Sequence, residues 1–193
     1  MIPPLIVFLA IQMFSPGPNI IMLTTSAARF GGVPTIPHFL GVAFGCGFVG
    51  ALCALGVGAL LEAMPTLKLT LQVAAALWIL WMAWNLYRAD AAAEGALSSR
   101  PMTFFEAALF QWVNPKIWAI GLAASSGYGS DLPLHQEAAR MGLSFSCVNF
   151  VVRGFWTASG AYLSRLLNSS RAWSIFRTTM AILLAASAAL VFL

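Results

Sequence analysis

The sequence predicts an all-α, polytopic membrane protein of about six transmembrane helices, arranged as two inverted three-helix repeats. Three observations carry this. Of 193 residues, 60% are hydrophobic and only 8% charged, whereas a soluble domain carries roughly a quarter charged residues. The apolar runs are long and unbroken, without the alternating polarity of a membrane β-barrel. Two of the runs are interrupted by proline at matching depths, one in each half of the chain.

The runs place spans at about 4–27, 38–61, 67–88, 103–126, 139–163 and 172–192, each close to the roughly 20 apolar residues that cross a bilayer. The opening Met1-Ile2-Pro3-Pro4 has no basic segment, which predicts a retained first span and not a cleaved signal peptide. The longest polar stretch, Arg88 to Pro101 through Asp90, Glu94 and Ser98-Ser99-Arg100, separates three spans on either side. One transmembrane domain is therefore expected, with residues 1–90 and 102–193 as repeats and 91–101 as their connection.

The ten basic residues are scattered singly along the chain and nearly all fall at span ends, so they read as topology determinants and not as a nucleic-acid surface. Arg29, Arg88, Arg100, Arg165 and Arg171 fall in connections one, three and five, against Lys68 and Arg140 in two and four. The positive-inside rule then puts the odd connections in the cytoplasm, with Trp81, Trp84 and Tyr87 as an aromatic girdle at that end of the third span. Cys46, Cys53 and Cys147 lie in apolar stretches without a CxxC spacing, and read as buried packing thiols.

The first span is broken by Ser15-Pro16-Gly17-Pro18-Asn19 and the fourth by Asn114-Pro115-Lys116. Pro18 stands 14 residues past Pro4, and Pro115 stands 14 past Pro101; the two breaks are 97 residues apart, close to half the chain. With three spans per half, the second half enters the membrane in the opposite sense, the pattern of an inverted repeat. Pro16 should end one half-helix and Pro18 begin the next, because proline removes a donor inside a helix yet suits its first position. Asn114 is positioned to cap the second half-helix, with Pro115 first. Half-helix N-termini carry roughly half a positive charge and attract anions such as a carboxylate. Irregular backbone at this depth needs protein or water to satisfy it, so both breaks are expected to line one cavity holding the solute. An ordinary proline kink is the simpler alternative for either break alone.

In this order, Ser15-Pro16-Gly17-Pro18-Asn19, Ala28-Arg29-Phe30-Gly31, Gly41-x-x-x-Gly45, the Trp-rich third span, Arg100-Pro101-Met102-Thr103-Phe104 and Gln111-Trp112-Val113-Asn114-Pro115-Lys116 resemble the LysE/RhtB family of amino-acid exporters over nearly the whole chain. That family has Thr where Ser15 stands, and many members have a second Asn where Ile20 stands. The resemblance implies a multi-pass protein of the bacterial cytoplasmic membrane that exports amino acids or related metabolites by proton antiport, with no organic cofactor. Its partners are then a small-molecule substrate and the lipid bilayer, with a homo-oligomer left open.

Two intramembrane cations need company: Lys116 after the second break and Arg153 in the fifth span, four residues after Asn149 on the same helical face. Arg153 either grips a substrate carboxylate bidentately or pairs with an acid or half-helix carbonyls; Lys116 either reaches substrate or fixes the break. Asn19, Gln111, Asn114 and unwound carbonyls would accept from a substrate amine. Among the acids Glu106 is deepest, as a proton carrier or simply as a first-turn acid complementing the helix dipole. His38 and His135 lack the company of metal ligands. Gly41 and Gly45, with the line Cys46, Gly50, Ala54 and Gly58, predict close helix packing, inside the chain or with a second copy. An enzyme is not expected, since no HExxH, GxSxG or acidic pair is present. Export of another small solute or ion, or a non-transport scaffold, are the competing readings.

Overall fold

Pro4 at the first position opens helix α1 (Pro4–Phe14), and Ser15 ends it in an extended conformation, φ −65° and ψ 141°, as a residue preceding proline prefers. Gly17 then leads into α2 (Pro18–Phe30), again with proline at its start. The two helices meet at 62°. The computed structural model describes residues 3–15, 17–88, 100–167 and 169–189; Pro16 and most of the connection 91–101, with Asp90 and Glu94, lie outside them.

The remaining helices are α3 (Ile36–Ala54), α4 (Val57–Glu62), α5 (Pro65–Arg88), α6 (Phe104–Val113), α7 (Pro115–Gly127), α8 (Leu134–Leu163) and α9 (Ser170–Ala189). The described residues are otherwise turns and short connections without a strand. Both sequence-predicted breaks are present. The expected span 38–61 is not continuous, however: α3 stops at Ala54 and the chain turns through Gly56 at φ 87° before α4. A side chain at that positive φ would be strained, so glycine is the residue that permits the turn.

Among the described residues three helices, α3, α5 and α9, are long and apolar enough to cross a membrane singly, and α1 with α2 is long and apolar enough for a fourth if the bent pair is one span. The other two expected spans correspond to α6 with α7 and to α8. Neither meets the same measure of length and hydropathy, because the fourth is split at Asn114 and α8 carries Arg140, Asn149 and Arg153. The polar groups that lower its hydropathy are turned inward, Asn149 and Arg153 being buried.

Helix α3 is the central element, much more of it being buried than of α5. It packs on α8 and on both halves of the α6/α7 pair, while α8 also packs on α1 and α2, and α5 pairs with α9. Lipid is as apolar as leucine, so close packing rather than exclusion from water must hold such helices together. The glycines provide it. A Cβ at Gly41 would overlap the Phe104 carbonyl oxygen, one at Gly45 would stand 2.8 Å from that of Ala108, and one at Gly50 would press 2.7 Å from the Phe145 ring. The small-residue line thus serves contacts inside the chain, to α6 and α8.

Trp81, Trp84 and Tyr87 are exposed on α5, with Arg88 lying 4.6 Å over the Trp84 ring. Cys46 and Cys53 are buried, but Cys147 is exposed. The expectation of three packing thiols is corrected there: Cys147 follows Ser146 and precedes Val148 on the outer face of α8, where an apolar thiol meets the surroundings without penalty.

Candidate functional site

The two breaks come together through amides. Asn19 Nδ2 donates to Gln111 Oε1 at 2.7 Å, and Gln111 Nε2 returns a bond to Asn19 Oδ1 at 3.1 Å. Gln111 Nε2 also donates to the Ala107 carbonyl at 2.8 Å, while Asn114 Nδ2 donates to Gln111 Oε1 at 3.2 Å and Cys46 Sγ lies 3.5 Å from the same oxygen. All three amides are buried. Asn114 occupies the cap position of α7 as expected, but its side chain makes no capping bond. It turns instead to Gln111, and its Oδ1 is buried without a hydrogen-bond partner.

The two cations address the end of α1. Lys116 Nζ donates to the Ser15 carbonyl and to Ser15 Oγ, both at 2.7 Å. It lies so close along Gly17 that a Cβ there would stand 3.2 Å from its Cδ and Nζ. Arg153 Nη1 donates to the Met13 carbonyl at 3.3 Å and Nε to Asn149 Oδ1 at 3.1 Å, while Asn149 Nδ2 meets Met13 Sδ and the Phe145 carbonyl. The last carbonyls of a helix have no partner within it and carry the negative end of its dipole. A proline after Ser15 aborts the helix in mid-protein, and two cations from the other half of the chain supply what the next turn would have given. Of the alternatives left by the sequence, this arrangement commits Arg153 and Lys116 to half-helix carbonyls.

Glu106 belongs to the start of α6. With Thr103 it forms a capping box, and Arg100 grips its carboxylate with two bonds of 2.8 Å at an exposed position. The cap and dipole reading accounts for its geometry.

A cavity of about 430 Å³ lies one to two turns away, between α2, α5, α6 and α9. Thr25 and Ser26 face it from α2, His38 from α3 and Glu106 from α6. From Asn19 to Thr25 is about 9 Å along α2, and from Gln111 to Glu106 about 7.5 Å along α6, at 1.5 Å per residue. The expectation that both breaks line one cavity is thereby modified: the break residues are packed against one another, and this cavity is reached along the helices that carry them. Sequence reasoning passed over it. The signal was present as Met22, Thr25, Ser26 and Arg29, spaced i, i+3, i+4, i+7, a partly polar stripe on one face of the second half-helix.

An all-helical chain with several apolar candidate spans, its two interrupted helices tied by buried amides and the end of one held by two cations, is consistent with a polytopic membrane protein. The sequence profile of the LysE type translocator matches residues 10–193, and the chain belongs to that family. Cysteine/O-acetylserine efflux proteins of Escherichia coli (strain K12), Shigella flexneri serotype 5b (strain 8401) and Shigella sonnei (strain Ss046) are each 31% identical to it over 119 residues, 61% of this chain and 60% of the relative. The chain thus matches about three fifths of the length of these relatives. No solved structure matches it significantly.

Proposed function

We propose that the chain is a secondary active exporter of amino acids or closely related small metabolites across the bacterial cytoplasmic membrane, working by proton antiport and alternating access. The carrying observation is the buried junction of Asn19, Gln111 and Asn114, which ties the interrupted helix of one half to that of the other. Discontinuous helices that meet near mid-membrane are the usual seat of solute binding in transporters. The exchange of partners between halves supports the same reading: α3 packs on the broken helix of the second half and α8 on that of the first, as two inverted repeats would.

In this mechanism Ser15, Pro16, Gly17, Pro18, Asn19, Gln111, Asn114, Pro115, Lys116, Asn149 and Arg153 form the translocation site. A solute carboxylate competes with the Ser15 and Met13 carbonyls for Lys116 and Arg153, and its amine competes for amide oxygens such as Asn114 Oδ1. Each competition loosens the tie between halves and lets one rock against the other. In this antiport, proton entry down its gradient drives the solute outward.

Purified chain in preloaded proteoliposomes tests this. L-cysteine and O-acetyl-L-serine head the panel, because the relatives are named for their efflux. Release that depends on a proton gradient and falls at least tenfold in Asn114→Ala and Arg153→Ala is expected. Release no faster than from protein-free vesicles across the panel would sink the reading.

A further inference from the structure

The cavity of about 430 Å³ is charged at one end and apolar further in. Arg29 lies in the last turn of α2, Asn85 and Leu86 in the last turn of α5, and Arg100 just ahead of α6. All four line the cavity, so this end stands where three of the expected spans end or begin. Met22 precedes Arg29 by seven residues and Trp78 precedes Leu86 by eight, which puts them roughly 10–12 Å deeper at 1.5 Å per residue. With Met82 and Leu184 they form an apolar wall.

Arg29 is half-buried, and its guanidinium lies 4.9 Å over the ring of Phe30, which also lines the cavity. It donates no hydrogen bond among the described residues, so its five N–H donors are left for a ligand. Arg100 differs, since both its terminal nitrogens hold Glu106, another lining residue. Two guanidinium groups thus stand against one carboxylate. A small soluble anion would satisfy Arg29 but leave the apolar depth to water, which finds few polar partners there. An anionic phospholipid fits both parts: its phosphate meets the guanidinium in the bidentate geometry that arginine favours, and an acyl chain runs down the apolar wall. Basic pockets between transmembrane helices on the cytoplasmic side suit such headgroups, and Arg29 and Arg100 belong to the connections that the positive-inside rule puts there.

We propose that this cavity holds one anionic phospholipid of the cytoplasmic leaflet, with its phosphate on Arg29 and an acyl chain between α2 and α5. Lipid tails are as apolar as the wall they would line, so the chain contributes shape and the charge contributes the choice of headgroup. The Arg100–Glu106 pair sets how strong that choice is, because the carboxylate both repels the phosphate and occupies the second guanidinium. The inference stands apart from the exporter reading and survives its failure.

Native mass spectrometry of the full chain, released from detergent micelles holding equal amounts of phosphatidylglycerol and phosphatidylcholine, tests it. Wild type should retain one phosphatidylglycerol in about fivefold preference, the factor that one basic residue supplies toward anionic lipid. Arg29→Gln should bring the ratio close to one. Glu106→Gln should raise it by about fivefold again, because it removes the opposing carboxylate and frees the fork of Arg100, while glutamine keeps the capping box. A folding defect cannot produce that rise. Arg171→Gln, at a position that does not line the cavity, should leave the ratio as in wild type. Equal retention of the two lipids by wild type, or a preference unmoved by both Arg29→Gln and Glu106→Gln, would overturn the proposal. Displacement of the bound phosphatidylglycerol by excess inorganic phosphate would overturn it too, and would make the cavity a site for a free anion.

Discussion

Lys116 reaches from the start of α7 across the break of the first helix to Ser15, 101 residues away, and donates to both its carbonyl and its hydroxyl at 2.7 Å. The residue after one break thus completes the backbone of the other. Lys116→Met should leave the Ser15 carbonyl unmet and lower stability by about 2 kcal/mol, the range for a hydrogen bond to a charged group. Thermal unfolding of the purified protein in detergent measures it. Gly17→Ala, which crowds the same ammonium, should cost less, since Gly17 is in extended backbone that any residue adopts.

Gln111 is shared by Asn19, Asn114 and the Ala107 carbonyl. Gln111→Leu should destabilise by roughly 2–3 kcal/mol through buried amides left unmet. The double variant Asn19→Leu/Gln111→Leu should be less damaged than the two single effects sum to, with a coupling of about 1 kcal/mol or more. Strict additivity in a double-mutant cycle would show that the two amides do not act as a pair.

Arg153 bonds Asn149 and the Met13 carbonyl from different nitrogens of its planar fork. Arg153→Lys keeps the charge but not that geometry, and should behave nearer to Arg153→Met than to wild type in both stability and efflux. Full efflux in Arg153→Lys would show that charge alone suffices.

Close approach makes an unequal prediction for glycines. A Cβ at Gly160 would overlap the Thr24 carbonyl oxygen, whereas one at Gly154 meets nothing within 4 Å. Gly160→Ala should push α8 from α2 at a cost of about 1–3 kcal/mol or misassemble, and Gly154→Ala should express and unfold like wild type. Yield of folded protein by size exclusion separates them.

Ahead of the fifth span, the Arg140 guanidinium holds the Glu137 carboxyl below its ordinary range, with Arg140 also donating to the Tyr128 carbonyl at 2.6 Å. A depressed folded pKa means a stabilisation that is complete above the unfolded value, near 4.3, and is lost as pH falls through the folded one. Glu137→Gln should therefore flatten the fall in melting temperature between neutral pH and about pH 3. An unchanged acid slope would count against this pair as its source.

Much of the fold was legible because its causes are local. The absence of charge over long runs predicts membrane helices wherever the rest of the chain lies, and a proline interrupts its own helix whatever packs against it, so the breaks at Ser15–Pro18 and Asn114–Pro115 could be read directly. The pairing of Arg153 with Asn149 was legible for the same reason, being one helical turn. The stop at Gly56 was missed because the run after His38, residues 39–61, is apolar throughout and glycine alone is common in membrane helices. What tertiary structure decided was which distant groups meet. No spacing says that Asn19 faces Gln111, that Lys116 crosses to Ser15, or that Arg153 turns to the Met13 carbonyl; each depends on how α6, α7 and α8 are placed against the first broken helix. The cavity between α2, α5, α6 and α9 was equally hidden, because the packing of helices distant in sequence decides which side chains line it. Composition and proline chemistry act along the chain, whereas hydrogen bonds between halves are chosen by packing, where a buried polar group takes whichever partner the neighbouring helix brings within reach.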